Sequence, residues 1–322
     1  RNWIGRSEGA EAWFAIDTTT GPGRGNFYAA WDHYGCCGYR IFTRSTDGGA
    51  SFMPPTTLPG GPEFGTVAVG PDGEVYISGV TAKVLKSLNA RDAGVTPTFT
   101  YLRDVALGGS YAGWGGPNPG GLLGQSWIAC DHSSGSSRGY VYVLASVRPD
   151  AGGDPLDVMF ARSVDGGTSW SLPVRVNDDP RDNGAWQWFG TLAVAPNGRI
   201  DVVWNDTRND PTATFSELHY SFSIDAGRTW ARNVAVSLPF NHYLGYPQQN
   251  KLGDYYHMIS DDLGAGVAYA ATFNGEQDVY FLRVPFDCNG NGLPDSDEIL
   301  AGALADADEN FIPDECESDI DN

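Results

Sequence analysis

No apolar run in these 322 residues approaches the length of about 18 that a bilayer-crossing helix needs, so no transmembrane helix is expected. Basic residues are scarce: 20 Lys and Arg stand against 40 Asp and Glu, for a formal net charge of −20. Nucleic acid and anionic membrane surfaces both demand a basic footprint, so neither is expected as a partner. Histidine is limited to positions 33, 132, 219, 242 and 257, which show no metal-ligand spacing. No Gly-x-Ser-x-Gly elbow and no phosphate-binding loop occurs. The 5 cysteines (Cys36, Cys37, Cys130, Cys288 and Cys316) lack zinc-type spacing, and their odd number leaves at least one thiol over. No secretory leader is visible, and the opening Arg1-Asn2-Trp3 lacks an initiator Met, as expected of a processed or trimmed form. An acidic, Lys-poor, Gly-rich chain with these cysteines points to an exported protein.

What the chain does have is 42 Gly, 20 Pro and, counting 10 Trp, 15 Tyr and 15 Phe, a dense aromatic complement. That mixture suits many short strands joined by tight turns rather than a helical bundle. Five segments repeat one grammar of apolar strand, turn, second apolar strand and third strand. The fourth is the clearest, with Phe189-Gly190-Thr191-Leu192-Ala193-Val194, then Arg199-Ile200-Asp201-Val202-Val203-Trp204, then a strand from Leu218. First strands begin near residues 12, 64, 126, 189 and 255, a spacing of about 50–65 residues that suits four-stranded propeller blades with long loops. Fourth strands are expected at Val174-Arg175-Val176 and Val234-Ala235-Val236. The fifth unit runs out before a fourth strand, and Asn2-Trp3-Ile4 is expected to supply it and close the ring.

Three of these units end in the same phrase: Ser45-Thr46-Asp47-Gly48-Gly49-Ala50-Ser51-Phe52, Ser163-Val164-Asp165-Gly166-Gly167-Thr168-Ser169-Trp170 and Ser223-Ile224-Asp225-Ala226-Gly227-Arg228-Thr229-Trp230. A hairpin explains each word. The Asp (Asp47, Asp165, Asp225) accepts hydrogen bonds from nearby backbone N–H groups, Gly supplies positive φ, and the aromatic packs beneath. The phrase is the Asp-box pattern, and the chain resembles the sialidase-like β-propeller (BNR repeat) families over residues 1–285. The resemblance implies an all-β propeller of four-stranded antiparallel blades. Five are read here, with room for the sixth that sialidases usually have. It also places the Asp boxes on outer hairpins, as structure rather than chemistry.

Activity transfers less well. Sialidases of the family grip a substrate carboxylate with three arginines and use a Tyr–Glu nucleophile pair and an Asp acid/base. Their first arginine lies in Arg-Ile-Pro, which is absent here; Arg40-Ile41-Phe42 lies in a third strand instead. Asp206 and Arg208, in Trp204-Asn205-Asp206-Thr207-Arg208, and Tyr255, entering the fifth unit, are the candidates for a sugar-acid site, with a loop-ordering ion pair and a packed aromatic as the alternatives. Trp31-Asp32-His33 echoes the first of these. Glu11 and Asp17 flank the first inner strand, and a paired-carboxylate glycosidase would need two such groups at a set separation. Residues 108–124 (with Tyr111, Trp114 and Pro117), 178–188 and 241–256 form loops outside the blade grammar, of the length that carries function.

From Phe286 the grammar stops. Residues 287–322 hold 12 acids and no Lys or Arg, leaving the rest of the chain at −8. Asp287, Asn289, Asn291, Asp295 and Glu298 fall at positions 1, 3, 5, 9 and 12 of an EF-hand calcium loop, with the Leu293 carbonyl at 7 and Gly292 at the sharp turn. A second loop offers Asp306, Asp308, Asn310, the Ile312 carbonyl, Asp314 and Glu317, with Phe311 where the first has Gly292, so it is expected to bend less easily. Residues 299–305 between them suit about two helical turns. Paired loops on so short a link resemble dockerin-like extracellular calcium repeats, which implies two Ca2+ sites in a tail module at 286–322. A Cys288–Cys316 bridge would clamp the loops. Cys36 and Cys37 form a vicinal disulfide, or one of them reaches Cys130. The favoured function is an exported calcium-binding propeller that recognises a glycan or an extracellular protein, self-assembly through the tail included. The alternative is a sialidase-like glycoside hydrolase with a diverged site.

Overall fold

The computed structural model describes residues 12–33, 37–245 and 251–317. It is an all-β protein whose strands form five radial blades. Blade 1 is β1 (Ala12–Ile16), β2 (Phe27–Trp31) and β3 (Phe42–Ser45); blade 2 is β4 (Val67–Val69), β5 (Val75–Gly79), β6 (Lys83–Ser87) and β7 (Thr100–Asp104). An insertion follows, carrying β8 (Gly109–Tyr111), β9 (Trp114–Gly115) and β10 (Asn118–Leu122). Blade 3 is β11 (Trp127–Cys130), β12 (Val141–Pro149), β13 (Asp157–Ser163) and β14 (Val174–Arg175). Blade 4 is β15 (Gln187–Val194), β16 (Ile200–Asp206), β17 (Phe215–Ser223) and β18 (Val234–Ala235), with the short β19 (Phe240–Asn241) also on β17. Blade 5 is β20 (His257–Asp261), β21 (Gly264–Ala271) and β22 (Asp278–Pro285). Two short helices, α1 (Asp295–Leu300) and α2 (Asp314–Glu317), belong to the tail.

Every blade is an antiparallel meander, so period-2 patterning decides which side chains meet its neighbours. The central strand β16 is buried along its whole length because apolar layers cover both its faces. The core clusters lie mainly between successive blades, and the largest also takes in Phe64 and the insertion. Between blades 3 and 4, for example, Tyr142, Leu144 and Phe160 meet Leu192, Val202 and Trp204. Between blades 4 and 5, Val203 and Leu218 meet Met258 and Val267. Inner strands run the same way around the axis, as the parallel bridge Gly65↔Ser126 shows. Within blade 2 Gly65 also lies tight against β5, where a Cβ on it would sit 2.2 Å from the Ser78 carbonyl oxygen.

The insertion read as a loop over residues 108–124 is instead hydrogen-bonded structure: β8 pairs with β12, and β9 with β10. β7 gives blade 2 a fourth strand that its sequence did not announce, since its residues are mostly exposed and lack alternation. The closing strand expected at Asn2-Trp3-Ile4 lies outside the described residues, as do Glu11 and Cys36.

Candidate functional site

Because inner strands are parallel to one another, the loops that enter them share one face with the β2–β3, β5–β6, β12–β13 and β16–β17 loops. Strain gathers there. Of the ten non-glycine residues with positive φ among the described residues, seven lie on this loop face: Cys37, Phe64, Thr81, Ala82, Asp182, Phe189 and Ala213. Such conformations cost about 1–3 kcal/mol each and persist where the surroundings over-determine them, which is characteristic of functional surfaces. Phe189 marks a bulge in β15, where pairing with β16 shifts between Trp188 and Thr191.

Asp206 and Arg208 sit on this face but in a closed network. Arg208 Nε donates to Asp206 Oδ2 at 2.9 Å, Nη1 to Asp178 Oδ1 at 2.6 Å and Nη2 to Asn233 Oδ1 at 3.1 Å. Asp206 also accepts from Trp204 Nε1 at 2.8 Å. Beside it, Arg175 is held by Asp157 at 2.7 Å and by Asp179 at 3.2 Å. Asp154 takes the backbone N–H groups of Asp182, Asn183 and Gly184. Burial opposes the Arg208 charge, yet the bonds and charge of Asp206 raise its pKa on balance. All three guanidinium nitrogens are committed, so the pair orders the 178–187 loop rather than gripping a substrate carboxylate. Tyr255 is half exposed, while its neighbour Tyr256 is the packed ring, bonded to Asn205 Nδ2 at 2.9 Å. Asp17 follows the end of β1 on the opposite face, where it accepts from Thr19 N and Oγ1, so it belongs to no loop-face pair.

The insertion crosses the loop face like a strap. Phe64, at the entry to blade 2, meets Trp114 edge-on at 5.3 Å. A Cβ on Gly116 would strike the Trp186 ring at the entry to blade 4. At blade 5, Asn118 Oδ1 accepts from Leu252 N at 2.9 Å and Asp254 Oδ2 from Leu122 N at 3.1 Å. Trp114 projects from this strap, 57 % exposed. Next to Phe64 on the chain, Glu63 pairs with His33, and Tyr39 stacks on His33 at 4.9 Å. The result is a carboxylate–imidazole pair with the accessible Tyr39 ring stacked on its imidazole and the accessible Trp114 ring against Phe64, the next residue after Glu63. Beneath, at the starts of the inner strands, Trp13, Trp127 and His257 close the axis, with Trp13 4.8 Å from Trp127 and 5.8 Å from His257. His257 keeps solvent contact, but wedging between indoles desolvates it and lowers its pKa below the usual 6.5. Glu63, Phe64 and Tyr39 escape sequence reasoning because nothing local marks them; they meet across two blades.

On the opposite face the three Asp-bearing hairpins share one network. Ser45, Ser163 and Ser223 donate to Asp47, Asp165 and Asp225 at 2.7, 2.8 and 2.7 Å. Each Asp then accepts the N–H and hydroxyl of the Ser or Thr four residues on. A Cβ on Gly227 (φ +77°) would meet the Phe160 ring at 2.1 Å, so that hairpin needs its glycine twice over.

The tail packs on this same face. Phe286 N donates to Leu263 O at 3.0 Å, and its ring lies 4.4 Å under the fully buried Arg199 guanidinium. Asn197 Nδ2 reaches Asn310 O at 2.9 Å. Within the tail two loops repeat each other. Asp287 accepts from Gly290, Asn291 and Gly292, and Asp306 from Asn310 and Phe311. Asn291 bonds Glu298 at 2.9 Å as Asn310 bonds Glu317 at 2.8 Å. Asp295 takes Cys288 N as Asp314 takes Ala307 N. Phe311 adopts φ +63°, the left-handed turn of Gly292 at +85°, so the bend expected to be difficult is made. The helix expected at residues 299–305 lies earlier, at Asp295–Leu300, because acids crowd its first turn and Gly302 (φ +70°) follows its end. Cys288 and Cys316 form a disulfide; Cys37 is disulfide-bonded, and Cys130 is a free, buried thiol, which ends the Cys130 alternative.

For calcium the donor set is hard and oxygen-rich, and one atom asks for a partner: Asp295 is fully buried and its Oδ1 has none among the described residues. Burial and the charges of Asp287, Glu298 and Glu315 push the Asp295 carboxyl up to about 6. Among the described residues no three His, Cys, Asp or Glu side chains converge in a metal-binding arrangement.

No family model and no curated protein matches the sequence. Among solved structures, the chain is similar to an α-L-arabinofuranosidase from Fusarium graminearum complexed with an iminosugar inhibitor (15 % identity, 85 % of this chain and 80 % of that one, TM-score 0.50). It is similar also to an α-L-arabinanase from Penicillium chrysogenum complexed with arabinobiose (13 % identity, 88 % and 82 %, TM-score 0.51). A Hadza microbial sialidase aligns at 12 % identity, 89 % and 67 %, with TM-score 0.38. At such identities the likeness is one of fold: the chain is a five-bladed β-propeller whose structural neighbours are propeller glycosidases. No helix among the described residues is long and apolar enough to cross a membrane.

Proposed function

We propose that this protein is an exported, carbohydrate-active propeller of glycoside hydrolase type, working on a neutral sugar at its loop face. The observation that carries the reading is the Glu63–His33 pair, with Tyr39 stacked on its imidazole and Trp114 against the adjoining Phe64. Aromatic faces hold the apolar side of a sugar, and a carboxylate positioned by an imidazole is suited to proton transfer at a glycosidic oxygen. Hydrolysis by two carboxylates needs a second acid; the candidate is Asp32, a buried carboxylate beside His33 on the chain. A sialic acid substrate is disfavoured because Arg175 and Arg208 are already spent on carboxylates. The neighbours described with arabinobiose and an iminosugar make arabinan the first substrate to try.

The test is release of sugar from arabinan and from an aryl α-L-arabinofuranoside, with a sialoside in parallel. Glu63→Gln is expected to lower kcat about 100-fold or more, and Trp114→Ala to raise KM about tenfold. Wild-type turnover by Glu63→Gln, or preferential cleavage of the sialoside, would remove the assignment. Binding of arabino-oligosaccharide through Trp114 with no turnover would return the protein to a recognition role.

We infer also that the tail binds two calcium ions. Asp287, Asn289, Asn291, the Leu293 carbonyl, Asp295 and Glu298 would hold one; Asp306, Asp308, Asn310, the Ile312 carbonyl, Asp314 and Glu317 would hold the other. The unpartnered Oδ1 of buried Asp295 supports this reading. A bound cation would relieve the crowding of like charges there and lock the tail.

A further inference from the structure

On the face opposite the loops, a cleft of about 640 Å³ opens between the third Asp-bearing hairpin and the tail. Its propeller wall carries Phe222, Arg228 and Trp230; its tail wall carries Asn289 and Glu315 on either side of the Cys288–Cys316 disulfide. The size falls within the range of about 300–1,000 Å³ typical of small-molecule sites. Trp230 packs edge-on against Phe160 at 5.1 Å. Its Nε1 is buried without an acceptor among the described residues, whereas Trp170 in the equivalent hairpin donates to Gly167 O at 3.1 Å. The Trp230 indole therefore offers the cleft ring surface, with its N–H turned away. Arg228 spends one terminal nitrogen on Asp225 O at 3.2 Å and is otherwise exposed; Asn289 and Glu315 are exposed too, with Asn289 Nδ2 donating to Glu315 Oε1 and to Glu298 Oε2, each at 3.5 Å.

An apolar ring beside a guanidinium, an amide and a carboxylate matches the two sides of a sugar, its C–H face and its vicinal hydroxyls. Charge narrows the class. One guanidinium faces Asp225 and Glu315, in a chain of net charge −20, so an acidic glycan would be repelled. We propose that this cleft is a second, non-catalytic binding site for a neutral oligosaccharide, built jointly by blade 4 and the tail. The site is separate from the loop face and depends on that reading only for the choice of probe.

Calorimetric titration of the full chain with arabinopentaose tests it. Two sites are expected, one weakened at least about tenfold by Arg228→Ala and by Glu315→Ala, the other by Trp114→Ala. Arg228 and Glu315 are exposed, so these variants leave the cores intact. A single site lost in Trp114→Ala and indifferent to Arg228→Ala overturns the cleft and leaves the loop face standing. A single site lost in Arg228→Ala and indifferent to Trp114→Ala supports the cleft and overturns the loop face. Sialyllactose is expected not to displace the sugar from the Arg228-dependent site, and displacement would overturn the neutral class. Absence of any Arg228-dependent binding overturns the proposal outright.

Discussion

Asp47 and Asp165 hold their charge through donors that the chain supplies within four residues. Hydrogen bonds from Ser51 and Ser45 to Asp47, and from Ser169 to Asp165, lower each carboxyl from 3.8 to about 2. A carboxylate held below its unfolded value adds stability that is fully present above about pH 4 and is lost as pH falls through about 2. The melting temperature is therefore expected to drop between pH 4 and pH 2, and Asp165→Asn to flatten that dependence. Identical acid melting curves for wild type and variant would contradict it. These residues were legible because donor and acceptor are neighbours in sequence. Glu63 was not, since its partner His33 lies 30 residues away in another blade. Asp206 and Arg208 were found by motif, with a loop-ordering ion pair as one of the two readings: their separation of two residues showed that they meet, while Asp178, Asp179 and Asn233, which saturate Arg208, come from other segments.

At the level of elements, blade 4 was read most clearly because β15 and β16 combine long apolar runs with marked turns. The strap was missed as structure because its five-residue β10, Asn-Pro-Gly-Gly-Leu, has turn composition throughout. It is held instead by neighbouring backbone and by Asn118 and Asp254. The tail's anchor was equally silent. Arg199 pairs with Asp201 at 3.0 Å in full burial, donates to the carbonyls of Asp261 and Asp262, and covers Phe286. Arg199→Ala would leave Asp201 charged and unpaired, a loss of about 3–5 kcal/mol. Urea unfolding should show this loss, with faster proteolysis near residue 286. A shift below about 1 kcal/mol would mean that the pair is not what holds blades 4 and 5 to the tail.

Taken whole, the molecule has two contrasting faces: strained loops and a strap on one, hairpins and the tail on the other. The calcium reading makes a prediction at this scale. EGTA is expected to expose residues 287–317 to a Glu-specific protease (trypsin finds no Lys or Arg there) while the propeller stays intact. Equal cleavage with and without EGTA would rule out calcium as the lock. The sequence by itself determined the all-β class, the five repeating units, the hairpin staples and the donor order of the tail loops. Each of these depends on residues close together in the chain, where period, turn chemistry and spacing act directly. Only the tertiary structure decided which carboxylates are open and which are spent, and that Trp114 overhangs the entry to blade 2. It alone brought Trp230 opposite Glu315. Such contacts join blades far apart in sequence, and their geometry follows from how the blades pack around the axis.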